Sequence, residues 1–197
     1  MGVNRHQDYA YIGNAVPNNL HWLDVKKMRD AGFRIIRSAH YPQDPAFMDA
    51  CDELGMFIIV ATPGWQYWNP EPVFEERILS DIRNMVRRDR NHPSVLLWEP
   101  VLNETAFPES FAQNAYRATH EEYPAPGCYA AIDDKSKGAM GYDVVYTAPK
   151  NEAFYRNAGK SCFTREYGDC VDDWNSHNSY SLSLIHISEP TRLRRIS

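Results

Sequence analysis

Residues 94–105 read SVLLWEPVLNET, and the fold prediction starts from them. Residues 95–98 are an apolar run with the length and the residue types of a buried strand. The run gives way to polar residues that include the pair Asn103-Glu104. A carboxylate that follows a buried strand lies where a parallel α/β barrel carries its chemistry. Glu104 is therefore a candidate catalytic residue, and capping of the next helix is its alternative role.

The composition indicates one globular domain. The chain has 197 residues, of which 43% are apolar and 13% aromatic, and its net charge is −5. This apolar content is enough for a single core, and the charge is typical neither of a nucleic-acid surface nor of a disordered acidic tail. We find no run near the roughly 18 apolar residues of a membrane span and no signal peptide. We predict no nucleic-acid or membrane partner, and compartment and oligomeric state stay open.

Strand patterns alternate with helix patterns along the chain. The predicted strands cover residues 2–6, 33–37, 56–60, 95–98, 128–132, 143–146 and 161–167, and the predicted helices cover residues 18–31, 47–54, 78–86, 108–122 and 152–157. Nearly continuous apolar strands that alternate with helices indicate a parallel sheet covered on both faces.

A complete eight-stranded barrel takes about 250 residues, or roughly 200 at the least. We therefore predict an α/β fold, an incomplete (β/α)8 TIM barrel with about seven strands present and the eighth missing. A doubly wound open sheet is the alternative. It is disfavoured because no glycine-rich phosphate loop follows the first strand.

The end of the chain does not continue this alternation. From about Ser181 it reads SLSLIHISEPTRLRRIS and turns basic. This segment resembles a translated sequencing adapter, which is left out of fold reasoning. We predict a partial barrel domain at residues 1–180 and a non-native tail at residues 181–197.

Two glutamates close predicted strands at corresponding places, Glu104 after the fourth and Glu166 at the end of the seventh. In a barrel both would lie at the same end. Two carboxylates on either side of a glycosidic bond are what sugar hydrolysis needs: one protonates the leaving oxygen, and the other attacks or stabilises the anomeric carbon.

Four motifs occur in order: GVNRH at 2–6, RSAHYP at 37–42, DRNHPSV at 89–95 with Trp98 and Asn103-Glu104 beyond it, and REYG at 165–168. In these motifs and their spacing the chain resembles the catalytic barrel of glycoside hydrolase family 2. That family contains β-galactosidases, β-glucuronidases and β-mannosidases. The resemblance runs from residue 2 to about residue 170.

The resemblance implies a retaining exo-β-glycosidase that acts on a carbohydrate substrate by double displacement. Glu104 matches the family's general acid/base, and Glu166 matches its nucleophile. Asn103 matches the asparagine that bonds the sugar 2-hydroxyl, a contact expected to strengthen in the transition state. Tyr146 matches a tyrosine that orients the nucleophile.

Further positions match residues around the sugar. His40 and Arg37 match residues at the end of the second strand that line the subsite, and the first-strand residues Arg5 and His6 match neighbours of the same pocket. Trp98 is a candidate contact on the fourth strand. Each has a structural alternative: the histidines as ordinary packed side chains, Arg37 as the partner of a buried carboxylate, and Trp98 as barrel packing.

The chain departs from the family in two places. The third strand ends in ATPGW at 61–65, where many relatives have an acidic stretch that binds Mg²⁺ in metal-dependent β-galactosidases. The four cysteines show no metal-ligand spacing. We therefore predict no metal site and no cofactor. Glu99 replaces a small residue and is a spare acid with no role assigned at the pocket.

No cationic pair for a uronate carboxylate is evident, so a β-galactoside is the favoured substrate. A non-catalytic carbohydrate-binding barrel is the alternative function, and an inactive fragment of the enzyme is a second alternative.

Overall fold

The computed structural model describes residues 2–147 and 152–165. The strands in these residues are β1 (Gly2–Arg5), β2 (Ile35–Ser38), β3 (Phe57–Ala61), β4 (Val95–Glu99), β5 (Ala131–Asp133), β6 (Val144–Tyr146) and β7 (Ser161–Phe163). The helices are α1 (Asn18–Asp30), α2 (Pro45–Leu54), α3 (Pro72–Asp89), α4 (Glu109–Glu122) and α5 (Glu152–Asn157), with a 3-10 turn at Ala139–Gly141. The predicted tail at residues 181–197 lies outside the described residues and stays a prediction.

The strands follow one another in chain order. β1 to β4 form one parallel sheet and β5 to β7 form another, each in consecutive order. Trp98 joins the two sheets through its backbone. It forms a bridge with Ala130, and its backbone N–H donates to the carbonyl of Tyr129 at 2.9 Å. A doubly wound sheet reverses its strand order, whereas a barrel does not. The predicted α/β fold with the winding of a partial TIM barrel is confirmed.

The predicted elements are found in place, with ends that shift by up to six residues, the largest shift being at the start of α3. Capping residues fix both ends of α2. Asp44 accepts the N–H of Ala46 with its side chain, Pro45 occupies the first helical position, and Gly55 ends the helix at φ 67°. β7 ends at Phe163 rather than at residue 167, and beyond it the carbonyl of Arg165 accepts a side-chain N–H of Asn4 on β1 at 2.8 Å.

Alternate side chains of the strands enter two separate layers. The outward layer packs against the helices and contains, among others, Ile36, Ile58, Val60 and Trp98 with Phe47 of α2 and Val86 of α3. The inward layer fills the barrel interior with Ile59, Leu97, Ala131, Val144 and Tyr146. Because side chains alternate along a strand, a residue and its chain neighbour belong to different layers.

Arg5 belongs to the outward layer, so its predicted place beside the sugar pocket is wrong. Its side chain is almost fully buried, and its guanidinium donates to Asp24 of α1 at 2.9 Å and to Gln43. The same group lies 4.2 Å from the ring centre of Phe47. The preceding residue, Asn4, faces the barrel interior instead and contacts Arg37. Arg5 thus fastens β1 to the helix layer.

None of the helices in the described part of the chain is long and apolar enough to cross a membrane.

We expect the stability of the fold to depend on pH through one buried histidine. His21 of α1 is fully buried beside the Arg5 guanidinium, with 3.3 Å between Nδ1 and the guanidinium nitrogen. Burial, followed by the charge of Arg5, lowers the pKa of His21 below 6.5. The unfolded chain therefore binds a proton before the folded chain does. We expect the free energy of unfolding to fall as the pH drops below about 6.5, by at most about 1.4 kcal/mol per pH unit from this group.

The check is a pair of chemical unfolding curves against pH for the wild type and for His21→Gln. The variant lacks the titrating group, so its stability should decline less steeply below about pH 6.5, and the two slopes should agree above it. Equal slopes below that pH would contradict the assignment of the pH dependence to His21.

Candidate active site

A group of polar side chains meets inside the barrel at the carboxyl ends of the strands. Asn4 comes from β1, Arg37 from β2, Glu99 from β4 and Asp133 from β5, while Arg165 follows β7 by two residues. We call these five residues the interior cluster. Other inward positions of the strands carry apolar side chains. The carboxyl end is where barrels carry their chemistry, so the cluster marks the candidate active site.

The centre of the interior cluster is a buried ion pair between Arg37 and Glu99. Nε of Arg37 donates to Oε2 of Glu99 at 2.7 Å, and a terminal nitrogen donates to Oε1 at 2.6 Å. Each side chain is only 2% exposed. Two parallel bonds of this kind fix both planes relative to each other. Arg37 therefore takes the role given as its alternative, the partner of a buried carboxylate, and that carboxylate is Glu99.

Arg165 connects the end of β7 to the same cluster. Its guanidinium donates to Asp133 and lies 3.9 Å from Oε1 of Glu99, while its carbonyl accepts from Asn4. Burial raises the pKa of Asp133 above its usual range, and the Arg165 charge opposes that rise. The contacts hold the strand that precedes Glu166 against the barrel interior. Glu166 itself lies outside the described residues.

Asn103 is held in one orientation by the two guanidinium groups. Its Oδ1 accepts from Arg37 at 3.1 Å and also from Arg165. A guanidinium has no acceptor atom, so the oxygen of the amide must face the interior cluster. The amide nitrogen then points the other way and lies 3.4 Å from Nε2 of His40. Asn103 therefore offers an N–H donor toward the mouth of the barrel.

His6, His40 and Trp65 form an aromatic group at this mouth. The ring centres of His6 and His40 are 5.6 Å apart, and those of His40 and Trp65 are 5.8 Å apart. His40 is half-buried and His6 is exposed. The structure thus brings both predicted histidines together with Asn103, on one side of the opening.

Glu104 lies at the rim with its side chain exposed. Its backbone has φ 49°, and Oε2 accepts from Nε2 of Gln66 at 2.7 Å. The adjacent Asn103 is almost fully buried. One residue of the pair is therefore anchored in the interior while the next has its carboxyl group exposed at the rim.

Tyr146 faces the interior and touches the ion pair. Its ring centre lies 5.6 Å from the guanidinium carbon of Arg37. Burial, followed by the charge of Glu99, raises the pKa of this phenol well above its usual value. The buried hydroxyl has no hydrogen-bond partner of normal geometry among the described residues. A protonated donor is thus placed beside the interior cluster.

Trp98 does not line the site, so the prediction that it contacts the substrate is wrong. It is 1% exposed and packs in the outward layer against the helices. Its neighbours Leu97 and Glu99 face inward. Burial leaves Trp98 no surface that a sugar can reach.

Three contacts of the site were not assigned from sequence. Asn4 and Asp133 follow from strand alternation once the inward register of the neighbouring strands is known. Gln66 lies in the loop between β3 and α3, and no pattern in the sequence indicates that it meets Glu104. Among the described residues, no group of three His, Cys, Asp or Glu side chains is arranged to hold a metal ion.

The ion pair makes a prediction about stability. In Glu99→Gln the Arg37 guanidinium stays buried with its charge partner removed, and we expect the free energy of unfolding to fall by about 3 kcal/mol. The matched control is Glu121→Gln. Glu121 pairs with Arg83 on the helix surface and is 50% exposed, so that change should leave stability nearly unaltered. Equal effects of the two substitutions, measured by chemical unfolding, would contradict the buried pair.

Known proteins resemble the chain in sequence. Residues 1–125 match the family described as glycosyl hydrolases family 2, TIM barrel domain. A β-galactosidase of Thermoanaerobacterium thermosulfurigenes is 38% identical over 125 residues, which are 62% of this chain and 17% of that protein. A putative β-glucuronidase of Formosa agariphila is 33% identical over 97 residues, 49% of this chain and 12% of that protein. The chain thus spans less than a fifth of these relatives.

Solved structures resemble it in fold. An FMN-binding β-glucuronidase from Facaelibacterium prausnitzii L2-6 superposes with a TM-score of 0.74 at 22% identity, over 85% of this chain and 30% of that one. A GH2 β-galacturonidase from Eisenbergiella tayi, solved bound to galacturonate, gives 0.71 at 26% identity, over 89% and 36%. The family match at residues 1–125 covers more than half of the chain and includes Asn4, Arg37 and Glu99 of the interior cluster. The chain belongs to glycoside hydrolase family 2 and carries part of that family's TIM barrel domain.

Proposed function

We propose that the chain is the catalytic part of a retaining β-glycosidase, with Glu104 as general acid/base and Glu166 as nucleophile. The observation that carries the proposal is the position of Asn103-Glu104 at the carboxyl end of β4. Buried Asn103 is fixed by Arg37 and Arg165, and Glu104 is exposed beside it. Arg165 of the same cluster is also the residue that precedes Glu166 in the sequence.

The first step breaks the glycosidic bond. Glu104 gives its proton to the leaving oxygen while the carboxylate of Glu166 forms a bond to the anomeric carbon, which yields a covalent glycosyl-enzyme and a free alcohol. In the second step Glu104 takes a proton from water, the water oxygen bonds to the anomeric carbon, and Glu166 leaves as a carboxylate. Two inversions give overall retention.

The neighbouring side chains support this reaction. The outward-pointing amide N–H of Asn103 is suited to donate to the oxygen of the sugar 2-hydroxyl, a bond that strengthens in the transition state. His6 and His40 line the same side of the opening. Tyr146 offers a protonated hydroxyl next to the interior cluster, which suits a donor to the nucleophile. Each of these roles is part of the proposal.

Two variants test the assignment in the full-length protein with aryl β-glycosides. Glu166→Gln should lose at least about a thousandfold in kcat/KM, because no carboxylate is left to attack. Glu104→Gln should be slow with glycosides whose leaving group needs a proton. With a 2,4-dinitrophenyl glycoside it should still form the glycosyl-enzyme, and azide should then speed turnover, because azide attacks the anomeric carbon without a base and yields a β-glycosyl azide.

Glu121→Gln, far from the site on α4, is the control and should keep wild-type kinetics. Unchanged turnover in either active-site variant would refute the role assigned to that residue. A wild-type protein that binds the sugar tightly and never releases an alcohol from it would instead indicate a non-catalytic carbohydrate-binding barrel.

We further propose a neutral β-galactoside as the substrate. A uronate needs a cation for its carboxylate, and both guanidinium groups of the interior cluster already have carboxylate partners, Arg37 with Glu99 and Arg165 with Asp133. We expect a higher kcat/KM for 4-nitrophenyl β-galactoside than for the matching β-glucuronide. Steady-state rates with the two substrates check this, and a preference for the glucuronide would overturn the substrate assignment while leaving the mechanism intact.

A further inference from the structure

The loop between β3 and α3 contacts the Asn103-Glu104 pair through both its backbone and a side chain. Nε2 of Gln66 donates to Oε2 of Glu104 at 2.7 Å, and the backbone N–H of Gln66 donates to the carbonyl of Asn103 at 3.0 Å. Trp65 forms a parallel bridge with Asn103. The two loops therefore pair through their backbones. The side-chain hydrogen bond between Gln66 and Glu104 lies next to this backbone pairing.

The backbone conformations of the two partners are unusual in the same way. Gln66 has φ 58° and Glu104 has φ 49°, and in the described residues the only other non-glycine residue with positive φ is Tyr11. Residues other than glycine rarely adopt this left-handed backbone conformation. It persists where the surroundings impose it, and such positions cluster at functional sites. Here the result is that the two side chains point at each other.

The chemistry of the contact suits a group that gives and takes a proton. An amide N–H donates to a carboxylate without bringing a charge, whereas a lysine or an arginine would hold the carboxylate in its ionised form. The amide occupies Oε2 and leaves Oε1 to carry the proton. A glutamate on an exposed rim otherwise has several rotamers, and a single hydrogen bond selects one of them.

We propose that Gln66 is a positioning residue for the proton donor: it holds the carboxyl group of Glu104 so that Oε1 faces the leaving oxygen of the substrate. This rests on the proposed role of Glu104 in glycoside cleavage. Gln66 does not touch the reacting bond in this scheme, and it acts through Glu104 alone. Its importance therefore depends on how much the leaving group needs a proton.

The test compares two leaving groups in Gln66→Met, which has nearly the same shape and no amide. Phenoxide is a poor leaving group and needs the acid, so kcat/KM for phenyl β-galactoside should fall about 10- to 100-fold. Dinitrophenoxide leaves without a proton, so kcat/KM for the 2,4-dinitrophenyl β-galactoside should change by less than about threefold. A purely structural role would lower both values together.

Gln113→Met is the matched control, because Gln113 is an exposed glutamine on α4; both of its kcat/KM values should stay at the wild-type level. Equal losses with both substrates in Gln66→Met, or no loss with the phenyl glycoside, would overturn the proposal. Failure of the wild type to hydrolyse even the dinitrophenyl glycoside would count against the proposed function and not against the contact.

A second measurement tests the contact without turnover. The side-chain amide signals of Gln66, identified in nitrogen–proton correlation spectra by their loss in Gln66→Met, should move in Glu104→Met, because the acceptor is gone. The amide signals of Gln113 should not move. If the Gln66 signals are the same in the wild type and in Glu104→Met, the two side chains do not interact and the proposal fails.

Discussion

The site depends on the ion pair between Arg37 and Glu99 in the barrel interior. A guanidinium that is 2% exposed must have its charge matched and its N–H groups bonded. Glu99 supplies the charge and two acceptors, while Asn4 and Asn103 accept two of the remaining N–H groups. The position of Asn103 is a consequence of that requirement, and the position of Glu104 follows from Asn103 because the two are adjacent.

Such a pair is not retained for stability alone. Replacing a buried ion pair by apolar side chains of similar volume is often neutral or stabilising, whereas removing one partner is costly. The inward layer also contains apolar side chains, among them Ile59, Leu97 and Val144, and Ile59 pairs with Arg37 in the strand register. A buried charged pair among these apolar neighbours therefore indicates a positional role. Its two parallel hydrogen bonds fix the planes of the guanidinium and the carboxylate relative to each other.

The fold was predictable because it rests on repeated local signals. Apolar runs, helical spacing and the glycine at position 55 placed the strands and helices, and their alternation indicated parallel winding. The errors at Arg5 and Trp98 have a different origin. Each sits on a correctly placed strand, but side chains alternate between the two layers, so a shift of one residue moves a side chain from the pocket to the helix layer. A resemblance between motifs does not show which side chains of a strand face the pocket and which face the helices.

Other parts of the site depend on contacts between distant segments. In the sequence Glu99 is a spare acid without an assigned role. Its partner Arg37 lies on β2, 62 positions away in the chain, and only the fold brings the two together. Gln66 reaches Glu104 only because two loops dock, and the left-handed backbone that permits the contact is not encoded by a glycine. Local patterns do not reveal such pairs, because each partner alone is compatible with an ordinary exposed position.

We propose that Glu166 attacks the anomeric carbon and that Glu104 is the proton donor. The most direct measurement uses 2,4-dinitrophenyl 2-deoxy-2-fluoro-β-D-galactoside, whose fluorine slows both steps while its leaving group still allows the first. The carboxylate that attacks keeps the fluorinated sugar, and peptide mass spectrometry locates it. We expect one added fluorosugar on the peptide that contains Glu166. A label on Glu99 or Glu104, or release of dinitrophenol with no covalent adduct, would contradict it.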